Sequence, residues 1–332
     1  RGLTRAAAEE KASHWLSLLG LGRFGDRYPQ QLSGGQRKRA AIAQVLVLQP
    51  RLLLMPPDVE RVRDRARAVP GLVDRIAEQA RIAEGEDSYF KPKVEGSYLY
   101  RPLLNMLAPL TAATLVLEDE HSAVLALKAI EAYLEVPTQQ WPPPARRDMR
   151  CHHSIPNSSA LLGITMDICG DYWSSEAVAS ISERIASDLL VRFLVTWQKQ
   201  DEFWATPEYN FNWKIMCCGD SGLGALACGE SVSNLREVLQ ASLEGTLAVL
   251  DFIPSEGDWP EGTGYFLGSL RLGLRFALAL RNATGGEVDI FAHPRLLKAG
   301  DFVMHATEPD NGFYDFADCP AFWPTESGHD AW

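Results

Sequence analysis

The sequence has no apolar run long enough to cross a membrane and no pair of cysteines spaced as metal ligands. A membrane-spanning helix needs about 20 consecutive apolar residues, and no stretch of the 332 residues provides them. The six cysteines include no CxxC pair, and Cys217 and Cys218 are adjacent inside an expected helix. Such buried thiols pack as small apolar groups. We therefore expect no membrane span, no metal ion and no cofactor.

Basic side chains are fewer than acidic ones. The chain has 32 lysines and arginines against 43 aspartates and glutamates, and its formal net charge is −11 at pH 7. Nucleic-acid binders obtain much of their affinity from Lys and Arg on phosphates, so this balance argues against a nucleic-acid partner. A local basic groove for another anion is still compatible with it. Position 1 is not methionine and no signal peptide follows, so the sequence alone predicts neither a location nor an oligomeric state.

Alternation typical of β-strands is scarce, whereas apolar residues often recur at steps of three and four. Ser174 and Glu176 form a capping pattern at the start of one long helix. The apolar stripe of that helix consists of Val178, Ile181, Ile185, Leu189, Phe193 and Trp197. About nine such helices, joined by loops of alternating length, predict a mainly α fold. We expect an incomplete α/α toroid of antiparallel helical hairpins, which suits the loops better than a four-helix bundle.

A glycine-rich turn lies near the N-terminus, in the sequence Leu-Ser-Gly-Gly-Gln at residues 32–36. Ser33 is a good helix N-cap, and Gly34 and Gly35 leave backbone N–H groups open at a helix start, an arrangement that binds phosphate. Residues 1–55 resemble the signature segment of ABC-transporter ATPases. In that family these three positions contact the γ-phosphate of a nucleotide that a partner subunit holds.

This segment also departs from the family that it resembles. No GxxxxGK[ST] phosphate loop occurs anywhere in the 332 residues. Pro56 and Pro57 stand where the resemblance places a magnesium-binding Asp and a catalytic Glu. We therefore expect residues 1–57 to be a non-functional fragment, joined to a second domain at residues 58–332 by fusion or rearrangement. On the same ground we expect an ABC ATPase subunit to be excluded as the function.

The second expected domain carries a series of motifs in a fixed order. They are Asp171–Glu176, Asn212–Trp213, Cys217–Gly219, Trp259–Tyr265, His293–Phe302 and Phe313–Cys319. From about Leu161 onward, and more loosely from residue 58, the chain resembles the helical domain of heparinase II/III-type polysaccharide lyases, which include alginate lyases. The resemblance implies a periplasmic or secreted protein. The family adds a β-sandwich after the helices, and none precedes Trp332, so we expect this chain to be impaired by truncation.

The resemblance implies cleavage of a uronate-containing polysaccharide by β-elimination. This reaction needs a neutralised carboxylate, a base for the C5 proton and an acid for the departing 4-oxygen. In the family an Asn or His at the position of Asn212 pairs with the carboxylate, and a Tyr a little over fifty residues later serves as acid and often as base. Tyr265 follows Asn212 by 53 residues. The implied catalytic residues are therefore Asn212 and Tyr265.

Further residues are candidates for contacts with this acidic polysaccharide, the implied partner. They are Trp213, Trp259, Glu261, His152, His153 and Arg146. Each has a structural alternative: Asn212 as a helix N-cap, Tyr265 and the two tryptophans as packed aromatics, Glu261 as a helix-dipole partner and the histidines as a solvated loop. His293, Asp315 and Asp318 are expected to be structural.

Two other function classes fit the same toroid. An inverting glycoside hydrolase would use Asp258 or Glu261 as its acid and needs two carboxylates about 6.5–9.5 Å apart. A non-catalytic binding module would hold an acidic glycan without cleaving it.

Overall fold

The computed structural model describes residues 9, 13, 16, 21–25, 27, 31, 56–85 and 100–306. These residues form eleven α-helices and no strand, which confirms the predicted mainly α class; the toroid stays a prediction. None of the described helices combines the length and apolar character that a membrane span requires. Ser33, Gly34, Gly35, Asp315 and Asp318 lie outside the described residues, and so do most of residues 1–55.

We number the helices in chain order. They are α1 (Pro56–Ala68), α2 (Leu72–Gly85), α3 (Tyr100–Leu117), α4 (Glu120–Leu134), α5 (Ser154–Cys169), α6 (Ser175–Arg184), α7 (Val191–Lys199), α8 (Asn212–Cys228), α9 (Leu235–Phe252), α10 (Thr263–Ala283) and α11 (Pro294–His305).

The first four helices form two hairpins. The break between α1 and α2 contains Pro70 and Gly71, whose φ is +69°. Between α3 and α4, Glu118 takes a left-handed φ of 58°. The side chain of Asp119 then accepts the N–H groups of His121 and Ser122 at the start of α4. Such an N-cap satisfies donors that the first helical turn leaves open.

The long stripe predicted after Ser174 belongs to one nearly continuous helix with a π segment in its middle. Ile185–Leu190 is π-helical and joins α6 to α7. Ile181, Ile185, Leu189 and Phe193 are all buried. Four-residue steps overshoot a full turn of the 3.6-residue α-helix, so a stripe with this spacing drifts around the helix. The wider winding of the π segment reverses that drift and keeps the stripe on the core.

Helix α8 lies at the centre of the described core and packs against α5, α9 and α10. Small residues let these helices approach closely. A Cβ on Gly224 would lie 2.9 Å from the Cβ of Ser159 on α5, and one on Gly219 would lie 3.0 Å from the Cα of Gly273 on α10. Residues later along α8 contact residues later along both α5 and α10. The three helices α5, α8 and α10 therefore run parallel. Their N-terminal ends therefore lie on one side of the molecule.

The contact at Gly224 yields a stability prediction. Gly224→Ala should lower the free energy of unfolding by about 1–3 kcal/mol, because the new methyl group overpacks a buried helix contact. Its control is Gly300→Ala on α11, where nothing besides its chain neighbours and the backbone of its own helix lies within 4 Å of the new Cβ. This control should be neutral or stabilise by up to about 1 kcal/mol. Urea denaturation followed by circular dichroism measures both, and equal effects of the two changes would contradict the close approach.

Candidate functional site

Most of the residues singled out from the sequence lie near the N-terminal ends of α5, α8 and α10. His152 and His153 precede α5, Asn212 and Trp213 open α8, and Tyr265 is the third residue of α10. Because the three helices are parallel, the positive ends of their dipoles lie on the same side. The structure thus brings together segments that are far apart in the sequence.

A continuous row of aromatic rings connects these helix ends. Neighbouring ring centroids are between 4.6 and 6.0 Å apart. In order the rings are His153, Trp213, Phe203, Tyr209, Phe211 and Trp259. Phe203 is 42% exposed, whereas Trp259 is 2% exposed. Trp259 therefore does not offer a ring face to a sugar, and the prediction that it could stack on the substrate is wrong.

The side-chain oxygen of Asn212 is already bonded within the protein. It accepts the hydroxyl of Tyr209 at 2.7 Å and the backbone N–H of Trp213 at 2.6 Å. Asn212 is the first residue of α8 and Phe211 is its N-cap, so the alternative of Asn212 as the N-cap is wrong. Burial, with the negative charge of Glu261, holds the pKa of Tyr209 well above its usual value. The phenol therefore remains a neutral donor to Asn212.

The turn before α10 is fixed by one glycine and one side-chain hydrogen bond. Gly262 has a φ of +91°, a conformation that favours glycine, and it is the N-cap of α10. Glu261 accepts the indole N–H of Trp259 at 3.1 Å. This carboxylate therefore holds the buried indole in place. Tyr265 is half-buried one turn further on.

His152 is buried rather than part of a solvated loop, and that alternative is wrong for it. It is 1% exposed, and its Nδ1 accepts the backbone N–H of Ser154 at 3.2 Å. Its neutral form therefore carries the proton on Nε2. Burial, with the positive charge of Arg146, lowers the pKa of His152 to about 4. His152 is thus uncharged at neutral pH and offers no cation to an acidic ligand, whereas Arg146 is exposed.

Lys214 is a buried cation that the sequence reasoning missed. It is 2% exposed, and its ammonium donates to the carbonyl of Thr206 at 2.7 Å and to Oδ1 of Asn210 at 3.1 Å. It also lies 5.9 Å from the centre of the Trp197 ring. Burial lowers the pKa of this amine. Lys214 thus joins the loop before α8 to the helix. In the sequence, a single lysine among small and apolar residues was the feature that indicated a buried cation.

A buried ion pair links α8 to α10 and was also missed. Oδ1 of Asp220 lies 2.9 Å from the guanidinium of Arg275, and Asp220 is fully buried. The amide nitrogen of Asn157 is placed to donate to the carbonyl of His153 at 2.6 Å and to Oδ2 of Asp220 at 3.2 Å. Burial raises the pKa of Asp220 to about 6, against the opposing effect of Arg275.

The five cysteines in the described part of the chain form no metal-ligand set. Within residues 56–85 and 100–306, and the few described before them, no three His, Cys, Asp or Glu side chains are grouped for a metal ion. The five described cysteines are free and buried. Burial raises the pKa of the Cys151 and Cys217 thiols well above the usual value, and such thiols are poor nucleophiles.

Comparison with known proteins finds similarity at the N-terminus. Residues 3–55 match the family model of the ABC transporter. An Fe(3+) ions import ATP-binding protein of Agrobacterium fabrum is 46% identical over 66 residues, which are 20% of this chain and 19% of that protein. An energy-coupling factor transporter ATP-binding protein of Bacillus licheniformis is 45% identical over 67 residues, 20% of this chain and 23% of that protein. The chain thus spans about a fifth of the length of these curated relatives.

These findings change the functional conclusion. The predicted resemblance of residues 1–55 to an ABC-transporter ATPase is confirmed. The predicted function, β-elimination of an acidic polysaccharide with Asn212 and Tyr265 as its catalytic residues, is wrong, because the matches point to ATP-binding subunits and none of the findings supports a lyase. The hydrolase and glycan-binding alternatives are withdrawn with it. Whether Trp213, His153 or Arg146 contacts any ligand stays a prediction.

The anchoring role of Lys214 can be measured. Lys214→Met should lower the free energy of unfolding by about 1–3 kcal/mol, because it leaves the Thr206 carbonyl and the Asn210 side chain without their donor. The control is Lys298→Met on α11, where the ammonium is exposed and pairs with Asp301 at 3.3 Å; such pairs contribute little. Chemical denaturation of both variants tests this, and a Lys214→Met protein as stable as the control would refute it.

Two buried groups also make opposing contributions to the pH dependence of stability. The folded chain binds the proton of Asp220 more tightly than the unfolded chain does, so this contribution to the free energy of unfolding falls between about pH 4 and about pH 6. The unfolded chain binds the proton of His152 more tightly, so that contribution rises over the same range.

Replacing one of these two groups should therefore leave only the other group's contribution to the slope of the free energy of unfolding against pH. Relative to the unsubstituted chain, Asp220→Asn should make the free energy of unfolding rise more steeply with pH, by up to about 1.4 kcal/mol per pH unit. His152→Asn, which keeps an acceptor for Ser154, should change the slope in the opposite direction. Urea midpoints collected from about pH 4 to about pH 6 give both slopes. Changes of the same sign would show that one assignment is wrong.

Proposed function

We propose that residues 3–55 form the signature-motif half of an ATP site of the ABC-transporter kind. The observation that carries the proposal is the match of this segment to the family model, with the sequence Leu-Ser-Gly-Gly-Gln inside it. A serine hydroxyl and the open N–H groups of a glycine-rich helix start are donors suited to a terminal phosphate. Ser33, Gly34 and Gly35 supply these donors.

The other half of such a site comes from outside the 332 residues. A GxxxxGK[ST] loop holds the phosphates and, through its Ser or Thr, Mg²⁺, and the sequence contains no such loop. The proposed partner is therefore a phosphate loop on another stretch of polypeptide, over which the signature motif closes. ATP hydrolysis is proposed for the completed site and not for these residues alone.

The proposal is limited to ATP and does not extend to a transported cargo. One relative is named for Fe(3+) import and another for an energy-coupling factor transporter, at 46% and 45% identity over 66 and 67 residues. Since different transporters match about equally well, the shared role is the one that both names contain, ATP binding.

Complementation of a damaged relative tests this proposal. The Agrobacterium fabrum protein, with the serine of its own signature replaced, should hydrolyse ATP faster when this chain is added. Ser33→Arg in this chain should reduce the restored rate by about 10²-fold or more, because it removes a donor to the phosphate and fills its place. Ser255→Arg, at an exposed position far along the chain, is the control and should restore the rate fully.

Three outcomes would count against the proposal. They are ATP turnover by this chain alone, an absence of restoration, and restoration that Ser33→Arg leaves unchanged. Phosphate release measured with each protein separately and with the mixture distinguishes them.

A further inference from the structure

The row of aromatic rings continues to the surface at the C-terminal end of α9. The ring of Phe252 is 40% exposed, and its centroid lies 4.9 Å from that of Phe211. Phe211 and Tyr209 are half-buried, with ring centroids 5.4 Å apart. We call these three rings the open aromatic surface. Contiguous apolar surface often marks an interaction site, and aromatic side chains are enriched in protein interfaces.

Carboxylates accompany this surface. Three exposed acids each directly precede one of its rings, or the buried ring of Trp259, in the chain: Glu208, Asp251 and Asp258. The Asp251 side chain is 75% exposed, although its Oδ1 lies 3.1 Å from Nε2 of His293. A fourth acid, Glu261, lies close enough to Tyr209 for its negative charge to help raise the pKa of that phenol. The open aromatic surface is therefore accompanied by negative charge.

The stability of α9 does not account for the two residues at its C-terminal end. Asp251 is the penultimate residue of the helix and Phe252 is the last. A carboxylate there meets the negative end of the helix dipole, which is unfavourable, and the contact with His293 offsets this only in part. A single exposed ring is ordinary. An exposed ring beside an exposed acid, and packed on further rings, is instead typical of a binding surface.

The basic side chains near this surface do not cancel its charge. Lys214 is 2% exposed and donates to two oxygens of the preceding loop. The His293 side chain is only 14% exposed. Arg295 is half-buried on α11, and its positive charge helps to lower the pKa of the exposed Glu256. The exposed carboxylates of the surface therefore favour a positively charged partner.

We propose that the open aromatic surface docks an arginine-bearing segment of a partner protein. A guanidinium is planar, so it stacks on an aromatic ring while it donates to a neighbouring carboxylate. Phe252 with Asp251, and Tyr209 with Glu208, place these two kinds of group next to each other. The surface is separate from the ATP site proposed above, and neither proposal depends on the other.

Peptide binding to the 332-residue chain tests the class of partner. The probe is a fluorescein-labelled peptide of three arginines separated by glycines, and fluorescence anisotropy measures its affinity. It should bind about tenfold or more tightly than the same peptide with glutamine for arginine. It should also bind about threefold or more tightly than the lysine peptide at the same ionic strength, because ammonium groups do not stack on rings. The proposal is overturned if the arginine peptide does not bind, or if either analogue binds as tightly.

Variants locate the contact. Phe252→Ser and Asp251→Asn should each weaken the arginine peptide about threefold or more. Asp251→Asn keeps an oxygen for His293, and circular dichroism checks that both variants are folded. The controls are Ile82→Ser on α2, where the side chain is 45% exposed, and Glu131→Gln at an exposed position of α4. Both controls should leave the affinity unchanged. Unaltered affinity in either surface variant, or an equal loss in its control, would refute this surface.

Discussion

The close approach of α8 to its neighbours is the constraint on which the described structure depends. Glycines on α8 face a serine on α5 and a glycine on α10, and any larger side chain would separate the helices. Because the three helices are parallel and nearly in contact, the segments that precede them are gathered on one side. The rings and the buried histidine belong to those segments. Their positions follow from backbone packing rather than from contacts among themselves.

The buried charges fit this packing because each has a partner or loses its charge. Lys214 donates to two oxygens, Asp220 meets Arg275, and His152 is neutral at neutral pH. An unpaired ion at these depths would cost several kcal/mol. Each of these groups also joins a loop to a helix or one helix to another. The polar network therefore fixes the same arrangement that the glycines permit.

The sequence predicts the helices well and the site poorly, for physical reasons. Helix ends follow local rules, and the cap at Asp119 and the break around Pro70 lie where those rules place them. Burial depends on which face a neighbour covers, so Trp259 and His152 could not be placed from their own surroundings in the chain. The Trp259–Glu261 bond and the left-handed Gly262 show that a motif suggestive of chemistry can be required by a turn. That requirement helps to explain why motif order pointed to a reaction that the comparisons do not support.

The π segment at Ile185–Leu190 has a consequence for how the chain length can vary. A π turn holds one residue more than an α turn over the same rise of the helix. Deleting one residue there would let the segment close into an ordinary α-helix, with α6 and α7 still in line. The segment thus accommodates one residue more than an α-helix of the same rise by its winding rather than by a loop. The apolar faces of the two flanking helices, α6 and α7, both remain toward the core.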